Sequence, residues 1–209
     1  MNILGIDPGI GGALAIIKVA DRAPVAVEGL MAIDMPVVEV DGAKSYVCGA
    51  GLRTFLMNER LPPFHAFIER VNAMPVLHDR KTGERRPMAA SSAFQFGDSF
   101  GSVRTAVAVV GIPFTIISSP AWKKYHGLKG SDKEASRRRA IELSGSQEFF
   151  SRKKDQGRAE AYLIALYGAA RLLASPEDRH GSAQRRGKGA DEFDDQSDLP
   201  FDNEPGQAA

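Results

Sequence analysis

Two short apolar runs in this chain each end on an acid, and that placement restricts what the chain can become. Met1-Asn2-Ile3-Leu4-Gly5-Ile6 closes on Asp7, and Phe64-His65-Ala66-Phe67-Ile68 closes on Glu69. Runs of this length and composition read as buried strands of a sheet. An unpaired carboxylate taken out of water is costly or shifts its pKa toward neutrality, so acids at the edges of buried elements call for cations. A third acid, Glu160, opens the almost wholly apolar helical stretch Ala159 to Leu173. Three acids from three distant segments, each at the edge of a buried element, point to one divalent-metal site.

The pattern between those acids sets the order of elements. Asn2–Asp7 predicts a strand, Pro8-Gly9-Ile10-Gly11-Gly12 a turn, Ala13–Val19 a second strand, Asp21–Ala23 a turn and Val25–Leu30 a third strand. After a looser stretch, 31–45, a helix is expected over Ala50–Glu59, stopped by Pro62-Pro63, and His65–Glu69 is the fourth strand. Val71–Met88 is polar without apolar period and reads as a long loop; loops of that length are functional or disordered. Ser91 and Ser92 are expected to cap a helix running to about Val110. Pro113–Ser118 is a fifth strand, Pro120 starts a helix or turn, and Lys133–Leu143 and Arg158–Leu173 are two further helices. Three strands joined by turns, then strands joined through helices, predict an α/β fold with a mixed five-stranded sheet flanked by helices.

Charge is segregated along the chain. The net charge of +1 comes from 27 Lys/Arg and 26 Asp/Glu. Residues 175–209 hold four Lys/Arg and nine Asp/Glu, a net of −5, which leaves 23 against 17 and a net of +6 for residues 1–174. A basic body with an acidic tail suits a nucleic-acid binder. The tail's Gly, Asp, Gln, Ser and Pro are expected to leave it disordered, with a domain boundary near 174. A single cysteine, Cys48, excludes an internal disulfide framework and a cysteine-based zinc site. No run approaches the roughly 20 apolar residues of a membrane span, so a cytosolic protein is expected.

The strand ending Gly5-Ile6-Asp7-Pro8-Gly9, the strand ending Ile68-Glu69 and the late helix opening Arg158-Ala159-Glu160-Ala161 together resemble the RuvC-type Holliday junction resolvases of the ribonuclease-H-like superfamily. Pro120-Ala121-Trp122-Lys123-Lys124 and Phe94-Gln95-Phe96-Gly97…Gly101 resemble the phage and prophage branch of that group. The resemblance covers about residues 2–173. It implies hydrolysis of phosphodiester bonds at four-way DNA junctions by a homodimer. It also implies two Mg2+ ions, with Mn2+ as a substitute, held by a carboxylate cluster. Asp7 would bridge the ions, with Glu69 and Glu160 flanking them.

Bacterial relatives place two acids three apart on the last helix; here the position three before Glu160 is Gly157. Asp155 is the expected fourth catalytic and metal-binding acid, reaching the site if the helix starts near Gly157. Gln156, four before Glu160 and on its face, is the competitor. Lys123, Lys124, Lys153, Lys154 and Arg158, with the loop residues Arg80, Lys81, Arg85 and Arg86, are candidate DNA phosphate contacts; a solvated surface is the alternative for each. Trp122 reads as a packing anchor before a base-stacking residue. The Phe94–Gly101 helix is either the dimer interface or ordinary core. The tail segment ending Leu199-Pro200-Phe201 resembles the tip of bacterial single-stranded-DNA-binding proteins, implying a protein partner; a solubilising tail is the other reading.

Two rival functions stand beside this one. A related nuclease could act on RNA–DNA hybrids or other branches, and a non-catalytic DNA-binding or partner-recruiting protein could keep the fold alone. An actin-like ATPase shares the opening Asp-turn-Gly-Gly hairpin, but it requires a second copy of the domain that 209 residues do not supply.

Overall fold

A computed structural model describes residues 1–22, 24–39, 45–57, 62–71, 76–78, 85–128, 130 and 134–174, with only the backbone given for 76–78 and 85–87. In chain order the elements are β1 (Asn2–Asp7), β2 (Ala13–Val19), β3 (Val27–Asp34), β4 (Val37–Val38), β5 (Tyr46–Val47) and α1 (Gly49–Leu56). There follow β6 (His65–Glu69), β7 (Val76–His78), β8 (Arg85–Pro87), α2 (Ala90–Val109), β9 (Phe114–Ile117), α3 (Ser119–Tyr125) and α4 (Ala135–Ser144). A 3-10 turn at Lys153–Asp155 leads into α5 (Gln156–Leu173).

The main sheet has five strands in the order β3-β2-β1-β6-β9. β1, β2 and β3 pair antiparallel, whereas β6 lies parallel to β1 and β9 parallel to β6. The mixed five-stranded sheet read from the sequence is therefore present. β1 and β2 are buried on both faces, which is why they read as nearly continuous apolar runs.

Side chains alternate across the sheet and feed two cores. Ile3, Ala13, Ala15, Ile17 and Phe67 pack with α5, Trp122 and Phe150 on one face. Leu4, Ile6, Leu14, Ile16, Ala66 and Ile68 pack with α1 and α2 residues Leu52, Phe55, Val103 and Val107 on the other. The same alternation turns Asp7 and Glu69 toward the α5 face, in step with Ile3 and Phe67.

α5 lies so close to β1 that only glycine fits beneath it. A Cβ on Gly5 would run into the Ala161 carbonyl oxygen and the Ala165 nitrogen. At the helix start, a Cβ on Gly157 would come within 2.8 Å of the Gly11 carbonyl oxygen, so α5 begins seated on the turn after Asp7. These approaches carry Glu160 to the same end of the sheet as Asp7.

The structure departs from the sequence reading at several boundaries. The third strand runs Val27–Asp34 rather than Val25–Leu30, because its register against β2 continues to the Ala13–Asp34 pair. The stretch read as one long loop carries two short strands, β7 and β8, paired antiparallel. α2 begins at Ala90 with Ala89 in the capping position and no side-chain cap, so Ser91 and Ser92 lie inside its first turn. α4 starts at Ala135. The first helix ends at Leu56, and residues 58–61 lie outside the described residues, as does the acidic tail from Ser175 onward. Among the described residues no helix is long and apolar enough to cross a membrane.

Candidate metal centre

Asp7 is the last residue of β1, and Glu69 the last of β6. The parallel register pairs Ile6 with Ile68, so both acids leave the sheet at one edge, one residue beyond that pair. Glu160 joins them from the first turns of α5. Their proximity registers in the charge of Asp7, whose carboxyl is pushed up to about 8. Burial is the largest cause, followed by the negative charges of Glu160 and then Glu69, with Lys123 acting in the opposite direction. Among the described residues no hydrogen-bond donor reaches the Asp7 side chain, so Lys123 alone favours its ionised form.

The flanking acids are each held by neutral donors. Glu69 Oε2 accepts from Trp122 Nε1 at 2.8 Å, and the Ser119 side chain lies near enough to favour the ionised carboxylate. Burial still pushes the Glu69 carboxyl above its ordinary value, outweighing those bonds and the nearby Lys123. Glu160 Oε1 accepts from Ser136 Oγ at 3.1 Å and from Gln156 Nε2 at 3.2 Å. Among the described residues no group of three or more acid, histidine or cysteine side chains stands close enough, as placed, to hold a metal ion. Glu69 and Glu160 are turned onto these donors, and Asp7 stands between them without one.

The donor chemistry fits a hard divalent cation. Three carboxylates at one sheet edge supply oxygen ligands, the kind magnesium prefers, and few protein ligands suffice. Asp7 also opens onto a cavity of about 300 Å³ walled by the Gly9–Gly12 turn and by Gln95, Phe96 and Ser99 of α2. A phosphate or sugar could approach the carboxylates through that opening.

Asp155 does not join this group. Its side chain is 1% exposed beneath Arg152, whose Nη2 and Nε donate to Oδ1 at 2.6 and 3.0 Å and whose backbone N–H donates to Oδ2 at 2.8 Å. Burial alone would raise the Asp155 carboxyl, but the Arg152 hydrogen bonds and charge hold it below the usual range. The expected fourth acid is, in this structure, engaged in an ion pair with Arg152 at the start of α5. The helix begins at Gln156, and it is Gln156 that reaches Glu160.

The basic candidates separate by environment. Lys123 stands beside the acids, lowering the pKa of both Asp7 and Glu69, with Nζ 5.0 Å from the centre of the Trp122 ring. Lys124, Lys153 and Lys154 are exposed. Arg158 is bound to Asp34, Nε to Oδ1 at 2.6 Å, tying α5 to the end of β3. Arg85 and Arg86 belong to β8, where only the backbone is described, and Arg80 and Lys81 lie outside the described residues.

The sequence reading does not include Ser136 and Ser119 beside the acids, and for Trp122 it weighs packing against base stacking but not a hydrogen bond to Glu69. One signal was available: Ser119 and Trp122 stand three apart immediately after a strand that pairs with the Glu69 strand.

No protein-family model and no curated protein matches the chain. Solved structures do. Thermus thermophilus RuvC in complex with a Holliday junction substrate superposes with a TM-score of 0.55 at 17% identity, covering 83% of this chain and 97% of that one. The fold is that of RuvC. A second T. thermophilus RuvC structure gives 0.53 at 18% identity, over 83% of this chain and 96% of that one. Ydc2, the yeast mitochondrial Holliday junction resolvase, gives 0.48 at 15% identity, over 88% and 83%. The likeness covers the mixed five-stranded sheet and its flanking helices.

Proposed function

We propose that the chain is a divalent-metal-dependent endonuclease that hydrolyses phosphodiester bonds in branched DNA, with the four-way junction as its substrate. The observation that carries this reading is Asp7, a carboxyl held near pKa 8 at the end of a RuvC-fold central strand with Glu69 and Glu160 beside it. Such a constellation is poor as a structural device, because it gathers three carboxyl groups and forces one of them to hold its proton. It is well suited to gripping cations.

Asp7, Glu69 and Glu160 would hold magnesium, with Gln156 at the rim. Bound there, magnesium supplies positive charge for activating a water and stabilising the leaving oxygen. The chain's own residues do the remainder. Trp122, Ser119 and Ser136 orient the acids, and Lys123 offsets part of their charge. The cavity beside Asp7 admits the strand, while exposed Lys124, Lys153 and Lys154 are placed to meet phosphates. A T. thermophilus RuvC has been captured on a Holliday junction substrate, which supports the choice of junction over linear duplex.

Cutting two strands symmetrically takes two active sites, so the enzyme acts as a homodimer. α2 supports this with an apolar exterior, Phe94 being 78% and Val109 77% exposed. The test is nicking of a synthetic four-way junction in Mg2+, compared with linear duplex and an RNA–DNA hybrid. Junction-selective, EDTA-sensitive cleavage that Asp7→Asn abolishes is expected. Preferential hybrid cleavage, or wild-type rates in Asp7→Asn, would overturn the proposal.

A further inference from the structure

The end of the sheet at which Glu69 stands also carries a holder for it. β9 runs parallel beside β6 with Ile117 opposite Glu69, and the Arg70 N–H donates to the Ile117 carbonyl at 2.7 Å. The chain leaves β9 almost directly into α3. Trp122 comes to rest against the Glu69 carboxylate, with Ser119, three residues earlier and therefore on the same helix face, near enough to favour its ionised form. The indole N–H donates to Oε2 at 2.8 Å.

Trp122 is wholly buried, so its ring has little freedom to choose another orientation. It packs edge-on to His126 with ring centres 6.5 Å apart, and His126 Nε2 is 2.8 Å from the Leu163 carbonyl oxygen on α5. An indole N–H is a donor only and cannot itself bind a cation. What it can do is pin one carboxylate oxygen and thereby set the direction of the other. A neutral donor achieves this without neutralising the acid, as a lysine or arginine at that position would.

Resting on the metal-site reading above, we infer that Trp122, assisted by Ser119, is a positioning residue for Glu69. It holds Oε2 so that the other oxygen is presented to a divalent cation beside Asp7. Hydrogen-bond partners of ligating side chains usually matter by 10- to 100-fold in metal affinity.

Trp122 is the only tryptophan in the chain, which gives the test a readout independent of cleavage. Mn2+ binding to the full-length, DNA-free protein is measured by electron paramagnetic resonance for wild type, Trp122→Phe and Ser119→Ala. Thermal melting in EDTA controls for folding. Wild-type tryptophan emission is followed during a Mg2+ titration and compared with Glu69→Gln. We expect Trp122→Phe to weaken Mn2+ binding about tenfold or more while remaining folded. Mg2+ should change the Trp122 emission in wild type but not in Glu69→Gln.

Wild-type Mn2+ affinity in folded Trp122→Phe would overturn the positioning role and leave the metal site standing. A wild-type protein that binds no Mn2+ would overturn both. If Trp122→Phe fails to fold, Ser119→Ala decides: a loss of about threefold or more supports the role, and unchanged affinity overturns it.

Discussion

Arg152 encloses Asp155 with its guanidinium on one side and its own backbone N–H on the other, the shortest contact being 2.6 Å to Oδ1. This pair fixes the 3-10 turn from which α5 departs, and so fixes where Glu160 starts. It makes Asp155 part of the scaffold. Asp155→Asn is expected to keep metal binding and junction cleavage while losing about 1–3 kcal/mol of stability, the usual cost of disrupting a buried charged hydrogen bond. Chemical denaturation and Mn2+ titration of the variant check this; metal affinity lost with stability intact would restore Asp155 to the site.

The raised pKa of Asp7 makes a prediction about pH in the metal-free protein. Between the ordinary 3.8 and about 8, the folded state keeps a proton that the unfolded chain releases. Stability in EDTA therefore falls as pH rises through that window and levels off above it. Burial shifts Glu69 in the same direction. Asp7→Asn should flatten much of the slope. Mg2+, which replaces the proton, should raise the melting temperature more at about pH 8 than at about pH 5.5. Melting curves across pH with and without Mg2+ measure both effects.

Gly5 is where α5 touches the sheet, with Ala161 and Ala165 backbone atoms in the space a side chain would take. Gly5→Ala is expected to cost about 1–3 kcal/mol or more by forcing the helix outward. It should also weaken Mn2+ binding, since Glu160 travels with the helix although Gly5 touches no metal ligand. A variant that is destabilised but binds Mn2+ normally would show that Glu160 is placed independently of this contact.

The exposed and the tied basic residues should separate in DNA binding. Replacing Lys153 and Lys154 with alanine is expected to make the log–log slope of junction affinity against salt shallower, by about one for each phosphate left without its lysine. Arg158→Ala should change that slope less, because its guanidinium is committed to Asp34. Junction binding in EDTA at several salt concentrations gives the slopes directly.

Much of this architecture could be read from the chain, and the reason is periodicity. β1 and β6 are short apolar runs with acids at their ends, so strand, burial and candidate ligand were legible together. The β7–β8 hairpin was not, because its polar residues carry no apolar alternation. The pairing of Asp155 with Arg152 was not legible for a different reason. The distance of Asp155 from Glu160 along the chain says nothing about Arg152, which three residues earlier was close enough to capture it. Of the donors to Glu69 and Glu160, Trp122 and Ser136 come from α3 and α4, and tertiary packing rather than sequence spacing brings them there.

The central claim is that Asp7, Glu69 and Glu160 together bind divalent cations. Crystals soaked in Mn2+ and measured at the manganese absorption edge test it most directly. The account predicts anomalous peaks about 2.0–2.2 Å from oxygens of Asp7, Glu69 and Glu160. Peaks elsewhere, or none at this sheet edge under conditions that support cleavage, would contradict it.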